Sequence, residues 1–291
     1  MNADLTLIAD SGSTKADWLI LDAAGHTAGL FSTIGLNPYF QTAVDAHQAL
    51  AQHPEYAHII HRVGRVFFFG AGCSSSVMCA IITEGIQRAF PEARVSVDHD
   101  LTACAYALYR GRPLCATIIG TGSNACFFDG RSIRQDVPSL AYILGDEASG
   151  SFLGKRLLAA RFYHQLPADF AADFDREYAL DKEQLLQKVY REPAPNVFLA
   201  SFVPFVLRHR QRPEVRSWVI EGFELFLQNH VLRYREAGMQ EVGFVGSVAR
   251  LFDTELSEVM ARHGLPLGLV IQKPIDRLGD YYREHVLPKD R

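Results

Sequence analysis

Two glycine turns hold the residues best able to do chemistry. The first is Ile8-Ala9-Asp10-Ser11-Gly12-Ser13-Thr14 and the second is Ile118-Ile119-Gly120-Thr121-Gly122-Ser123-Asn124. Each joins an apolar run to a second strand-like run, which then closes on Asp22 or Asp129. Gly12 and Gly122 stand 110 positions apart, as do Ile8 and Ile118, and Ser13 and Ser123. Such turns present backbone N–H groups and small hydroxyls where no bulky side chain blocks a phosphate. Gly-Ser turns are also ordinary hairpin chemistry. Their duplication, with an aspartate in the first copy alone, points to a nucleotide-dependent enzyme that grips a polyphosphate from two sides. Asp10 at a strand tip can hold a hydrated magnesium ion, although a turn-capping aspartate looks the same in sequence. Lys15 either adds charge near phosphate or is solvated, and Asp17 and Asp22 read as surface or turn residues.

Three further segments carry polar groups at places where ligands bind. Asp100 follows the strand Arg94 to Val97 and precedes an apolar helical run, so it is either a helix N-cap or a general base at the C-terminal end of a strand. Asp98 and His99 adjoin it, and His99 reads as structural. Gly145-Asp146-Glu147-Ala148-Ser149-Gly150 sets two carboxylates before a helix, where they suit the helix dipole or the hydroxyls of a polyol. Asn37, in Gly35-Leu36-Asn37-Pro38-Tyr39, offers a donor and an acceptor from a loop. Gly246-Ser247-Val248-Ala249 lies between a strand and a helix, where adenine or ribose could approach closely.

The surrounding elements form an α/β pattern. Strands are expected at 5–9, 17–21, 65–69 and 94–97, with helices at 41–53, 75–90 and from about Thr102. After Gly111-Arg112-Pro113 the pattern restarts with strands at 115–119 and 125–128, followed by a helix-rich stretch from Gly150 to about Asn229. Strands at 241–245 and 267–271 and a last helix from about 274 to 286 complete it. This gives domains at 1–114 and 115–291, the second with a helical insert. The last helix, about 275–287, is expected to pack back on the first domain. Apolar residues between 197 and 232 (Phe198, Phe202, Phe205, Trp218, Phe223, Phe226) suit a core or a homodimer partner, the core being preferred.

Composition narrows the classes. Of 291 residues, 48% are hydrophobic and 21% charged, with net charge −4, so neither nucleic acid nor an anionic membrane is an expected partner. No apolar run reaches the length of a membrane span and the N-terminus lacks signal-peptide features, so a cytoplasmic protein is expected. The five cysteines (73, 79, 104, 115 and 126) include no CxxC pair, which argues against zinc and iron–sulfur sites.

Taken in order, these segments resemble the sugar kinase, Hsp70 and actin superfamily. The most similar branch is the N-acetylglucosamine kinases, grouped with the BadF/BadG/BcrA/BcrD-type ATPases. The resemblance runs from about residue 5 to residue 250. Its most specific pieces are Gly120-Thr121-Gly122-Ser123-Asn124 and the Gly145-Asp146-Glu147 string. It implies two ribonuclease H-like domains with ATP and Mg2+ in an interdomain cleft. It also implies Asp100 as the base for a sugar 6-hydroxyl and Asp10 at the metal. Ser11, Gly12, Ser13, Thr14, Lys15, Gly120, Thr121 and Gly122 would serve the phosphates, with Gly246 and Ser247 beside the adenosine. Asn37, Asp100, Ser123, Asn124 and Asp146 would face the sugar.

The chain departs from this pattern beside the sugar pocket. Pro138-Ser139-Leu140-Ala141 replaces a Gly-Gly-Trp-Gly stretch, and Ala148 replaces a glycine. Cys126 follows the second turn, but no paired cysteine pattern supports the iron–sulfur role of the dehydratase activators in this group. The expected activity is ATP-dependent phosphorylation of an aminosugar, N-acetylglucosamine first, with glucosamine or N-acetylmuramic acid as alternatives. An ATPase that switches a partner protein is the reading from another class.

Overall fold

The computed structural model describes residues 4–12 and 14–287. The chain divides into two compact units, Met1–Tyr109 with Lys273–Arg291, and Arg110–Gln272.

In the first unit, β1 (Leu5–Ser11), β2 (Lys15–Leu21), β3 (Thr27–Ile34), β4 (Val63–Gly70) and β5 (Arg94–His99) form one sheet in the order β3-β2-β1-β4-β5. The β1–β2 and β2–β3 pairs are antiparallel, whereas β1–β4 and β4–β5 are parallel. Central β1 is buried almost throughout, which explains its continuous apolar run. Trp18 of β2 is fully buried, stacks on Phe31 at 5.6 Å and donates its indole N–H to Thr33 Oγ1 at 3.0 Å. Truncating it to alanine would cost about 3–5 kcal/mol.

The helix Ala43–Ala51 starts at a capping box between Thr42 and Asp45, and Ser76–Ala89 starts at the Ser75 side chain. Asp100–Leu108 follows β5 directly. Within this unit it packs on Ile275–Tyr281, with Tyr106 stacked on Tyr281 at 4.2 Å.

The second unit repeats the wiring. Here β6 (Leu114–Ile119), β7 (Ser123–Phe128), β8 (Ile133–Arg134), β9 (Glu241–Val245) and β10 (Leu267–Ile271) run in the order β10-β9-β6-β7-β8. Again the β6–β7 and β7–β8 pairs are antiparallel, and β6–β9 and β9–β10 are parallel. Between β8 and β9 lies the helical stretch, including Gly150–Phe162, Ala168–Tyr178 and Pro213–Phe226. Phe202, Phe205, Phe223 and Phe226 are fully buried there, and Phe198 and Trp218 pack against the same core. These residues therefore fill the core of their own unit.

Two strands escaped the sequence reading, β3 and the two-residue β8. β3 is a sheet edge with exposed residues at both ends and no clean alternation, so its pattern resembles a loop. The helix expected from about Thr102 begins at Asp100, and its N-cap is His99 rather than Asp100. Among the described residues, no helix is long and apolar enough to cross a membrane.

Candidate active site

In the first unit, Asp10 is the penultimate residue of β1, opposite Asp17 on β2 and beside Phe69 on β4. Burial, then the negative charges of Asp100, Asp17 and Asp276, push its carboxyl up to about 7, with Lys273 acting in the opposite direction. Asp17 behaves oppositely. Burial works against its charge, but Lys15 at 2.7 Å, Lys273 at 2.8 Å and the Ser32 hydroxyl at 2.8 Å overcome this and hold it at about 2. Lys15, expected at phosphate, is thus paired with Asp17, with its side chain 55% exposed.

The first turn is tied to the loop that bears Asn37. Ser11 Oγ accepts from Leu36 N–H at 2.9 Å, and Gly35 N–H donates to Thr14 O at 2.9 Å. Gly12 N–H donates to Lys15 O at 3.0 Å, closing the turn. Gly12 and Thr14 are exposed, and Ser13 lies outside the described residues. Asn37 is buried, and its Oδ1 accepts from Tyr39 N–H at 3.0 Å. Asp100 opens its helix one residue after β5, with a half-buried carboxylate.

In the second unit the turn is fixed differently. The helix Gly150–Phe162 spends its first amides on it: Gly150 N–H donates to Gly120 O at 2.7 Å and Ser151 N–H to Thr121 O at 3.1 Å. Asp146 is buried behind the turn and accepts from Ser123 N–H at 3.1 Å. A Cβ at Gly122 would stand 2.9 Å from Asp146 Oδ2, so the carboxylate backs directly onto that glycine. Burial raises the Asp146 carboxyl above its usual range, opposed by the Ser123 amide, Lys155 and His230.

Other expected residues of this unit surround the same turn. Thr121 is exposed. Ser123 Oγ is buried without a hydrogen-bond partner, which marks it as a group suited to a ligand. Asn124 Oδ1 accepts from Ala125 N–H and Gln135 Nε2, both at 2.9 Å. Gly246 has φ +127°, and a Cβ there would lie 2.3 Å from Ile119 O, so only glycine lets this backbone press against the start of the turn. Ser247 is exposed at the head of the next helix.

Two groupings were not found in the sequence. Lys273 reaches Asp17 from 256 residues away. Glu147 accepts from Asn229 Nδ2 at 2.7 Å and lies 3.4 Å from His230 Nε2, both partners being on the π-turn Leu227–Val231. No local pattern joins such distant positions. A π-turn interrupting a helix is the only hint, and functional sites often carry one. Among the described residues, no group of three or more His, Cys, Asp or Glu is arranged to hold a metal ion.

The comparisons with known proteins identify the family. A crystal structure of a "putative N-acetylglucosamine kinase" from Porphyromonas gingivalis is 38% identical, matched over 96% of this chain and 99% of that one, with TM-score 0.90. The chain belongs to that sugar-kinase family. A second "putative N-acetylglucosamine kinase", from Chromobacterium violaceum, is 18% identical over 96% of this chain and 98% of its own, with TM-score 0.73. A ROK-family glucokinase from Streptomyces griseus, in complex with glucose and AMPPNP, is 14% identical over 96% of this chain and 97% of its own, with TM-score 0.53. Those two speak for the fold alone. No protein-family model and no curated protein matches the chain. The relatives support a sugar kinase of the actin-like ATPase fold; the BadF/BadG/BcrA/BcrD grouping has only the sequence behind it.

Proposed function

We propose that the protein transfers the γ-phosphoryl group of ATP to the 6-hydroxyl of an aminosugar, N-acetylglucosamine before glucosamine or N-acetylmuramic acid. The observation that carries this reading is the Asp10–Asp100 pair at the C-terminal edge of one sheet. The Asp10 carboxyl is raised to about 7 by burial and then by the charge of Asp100, so the two carboxylates share one electrostatic site in which base and metal roles can be divided. The 38% identity to the Porphyromonas gingivalis protein over nearly the whole chain supports the substrate class.

Asp100 takes the proton of the attacking hydroxyl. The hydroxyl oxygen bonds to the γ-phosphorus as the bond from phosphorus to the ADP oxygen breaks, a reaction governed mainly by positioning and charge. Asp10 suits Mg2+, which binds through one or two carboxylates together with substrate phosphates and would neutralise their charge. Its raised proton affinity marks a partly buried carboxylate among other acids that a cation would relieve. Ser11, Gly12, Ser13 and Thr14 of one turn and Gly120, Thr121 and Gly122 of the other are assigned to the phosphates, and Gly246 and Ser247 to the adenosine; Lys15, paired with Asp17, is left out of the phosphate set. Asn37, Ser123, Asn124 and Asp146 are assigned to the sugar. For Asp146, the bond to the Ser123 amide adds a second task, holding the turn in shape.

The test is ADP release with Mg-ATP against N-acetylglucosamine, glucosamine, N-acetylmuramic acid and glucose. Strong stimulation by one aminosugar is the expected result. Slow ADP release indifferent to every sugar would overturn the reading in favour of an ATPase that switches a partner.

A further inference from the structure

His99 faces two incompatible demands on one ring nitrogen. It ends β5 and caps the next helix, its Nδ1 accepting from Leu101 N–H at 3.2 Å. The same Nδ1 lies 2.7 Å from Asp100 Oδ1, a buried oxygen that makes no aligned hydrogen bond. A capping nitrogen must offer its lone pair, whereas a nitrogen bonded to a carboxylate must carry a proton. It cannot do both at once. The side chain is therefore poised between two arrangements that differ by one proton.

Resting on the assignment of Asp100 as the base, we propose that His99 is a positioning residue that sets whether Asp100 can accept the substrate proton. With a neutral imidazole, Nδ1 caps Leu101 and the Asp100 carboxylate is free to take up the hydroxyl proton. With an imidazolium, Nδ1–H turns onto Asp100 Oδ1, holds it as an anion of reduced basicity and gives up the cap.

The charged groups around His99 are acidic. Asp98 on β5 accepts the His99 backbone N–H at 2.7 Å, and Asp100 lies on the helix. Asp10 on β1 interacts electrostatically with Asp100. After β4, the Cys73 thiol is pushed up to about 12 by burial, then by Cys79, Asp100 and Asp98. Tyr106 and Tyr282 also feel Asp98, and burial raises both phenols. Burial opposes a charge on His99, but Asp100 and Asp98 outweigh it and lift the imidazole above the ordinary histidine value.

His99→Asn keeps a strong N-cap without a titrating group. At saturating sugar and Mg-ATP, wild-type kcat should fall about fivefold or more between about pH 8.5 and pH 6. That limb should flatten in His99→Asn while its melting temperature stays close to wild type. Asp10 titrates in the same window in both proteins, so the readout is the difference between the two limbs rather than either limb alone. A second readout needs no activity: the His99 imidazole, assigned by NMR through its loss in His99→Asn, should titrate at lower pH in Asp100→Asn. An unchanged kcat limb in His99→Asn, or an unchanged imidazole titration in Asp100→Asn, overturns the proposal. If Asp100→Asn is inactive in either case, the base assignment stands without His99. If Asp100→Asn keeps its activity, the base assignment itself has failed.

Discussion

The two sheets share one wiring and differ in what their edges carry. Counting 110 positions on from Asp10 leads to Gly120, so the strand tip that bears a half-buried acid in the first unit bears a glycine in the second. After β5 comes Asp100; after β10 come Gln272 and Lys273. The turns are braced differently as well. A serine hydroxyl ties the first to a neighbouring loop, whereas two helix amides and the Asp146 carboxylate brace the second. A duplicated scaffold thus keeps its strand order while its side chains diverge: where the first copy has Asp10 and Asp100 at its strand ends, the second has Gly120 and Gln272.

The comparison breaks most readily at Asp100. Asp100→Asn should lower kcat about a hundred- to ten-thousand-fold, with ATP affinity by calorimetry within about twofold of wild type. Retained turnover would remove the chemistry from the first unit.

Asp10 gives the next largest effect, through pH. Its folded carboxyl sits near 7 against 3.8 for the ordinary group, so the folded state binds the proton more tightly. Its contribution to stability is present below about pH 4 and is lost as pH rises towards 7, on the order of 4 kcal/mol in metal-free protein. Asp10→Asn should therefore gain stability relative to wild type as pH climbs from 4 to 7, and Mg2+ should narrow the gap. Parallel melting curves for the two proteins would contradict this.

Asp146→Ala sharpens the contrast between the braces. Stranding the Ser123 amide should cost about 1–3 kcal/mol of stability and raise KM for ATP along with KM for sugar. A rise in the sugar KM alone would make Asp146 a pure sugar contact. Lys15→Ala should do least, within about 1 kcal/mol in stability, because its partner Asp17 keeps Lys273 and Ser32 and exposed pairs contribute little. A large loss of ATP affinity there would instead place Lys15 on phosphate.

Much of this contrast was legible in the residues themselves. Buried central strands announce themselves as apolar runs, and the two Gly-Ser/Thr turns mark where they end, which is why β1, β6 and β9 were found close to their observed bounds. β3 was not, because an edge strand with both faces partly wet keeps no period. Asp100 was read as an N-cap competing with a base; the cap proved to be His99, a residue type seldom used there, so propensity alone could not find it. Asp17 with Lys273, and Glu147 with Asn229 and His230, join positions far apart in the chain. Only the folded topology brings them together.

The most direct test of the central claim follows the phosphorus atom. Wild-type protein with Mg-ATP and N-acetylglucosamine should give a sugar 6-phosphate resonance in the 31P spectrum in step with ADP, and Asp100→Asn should give neither. Inorganic phosphate in place of the sugar phosphate, at a rate unaffected by Asp100→Asn, would contradict the account.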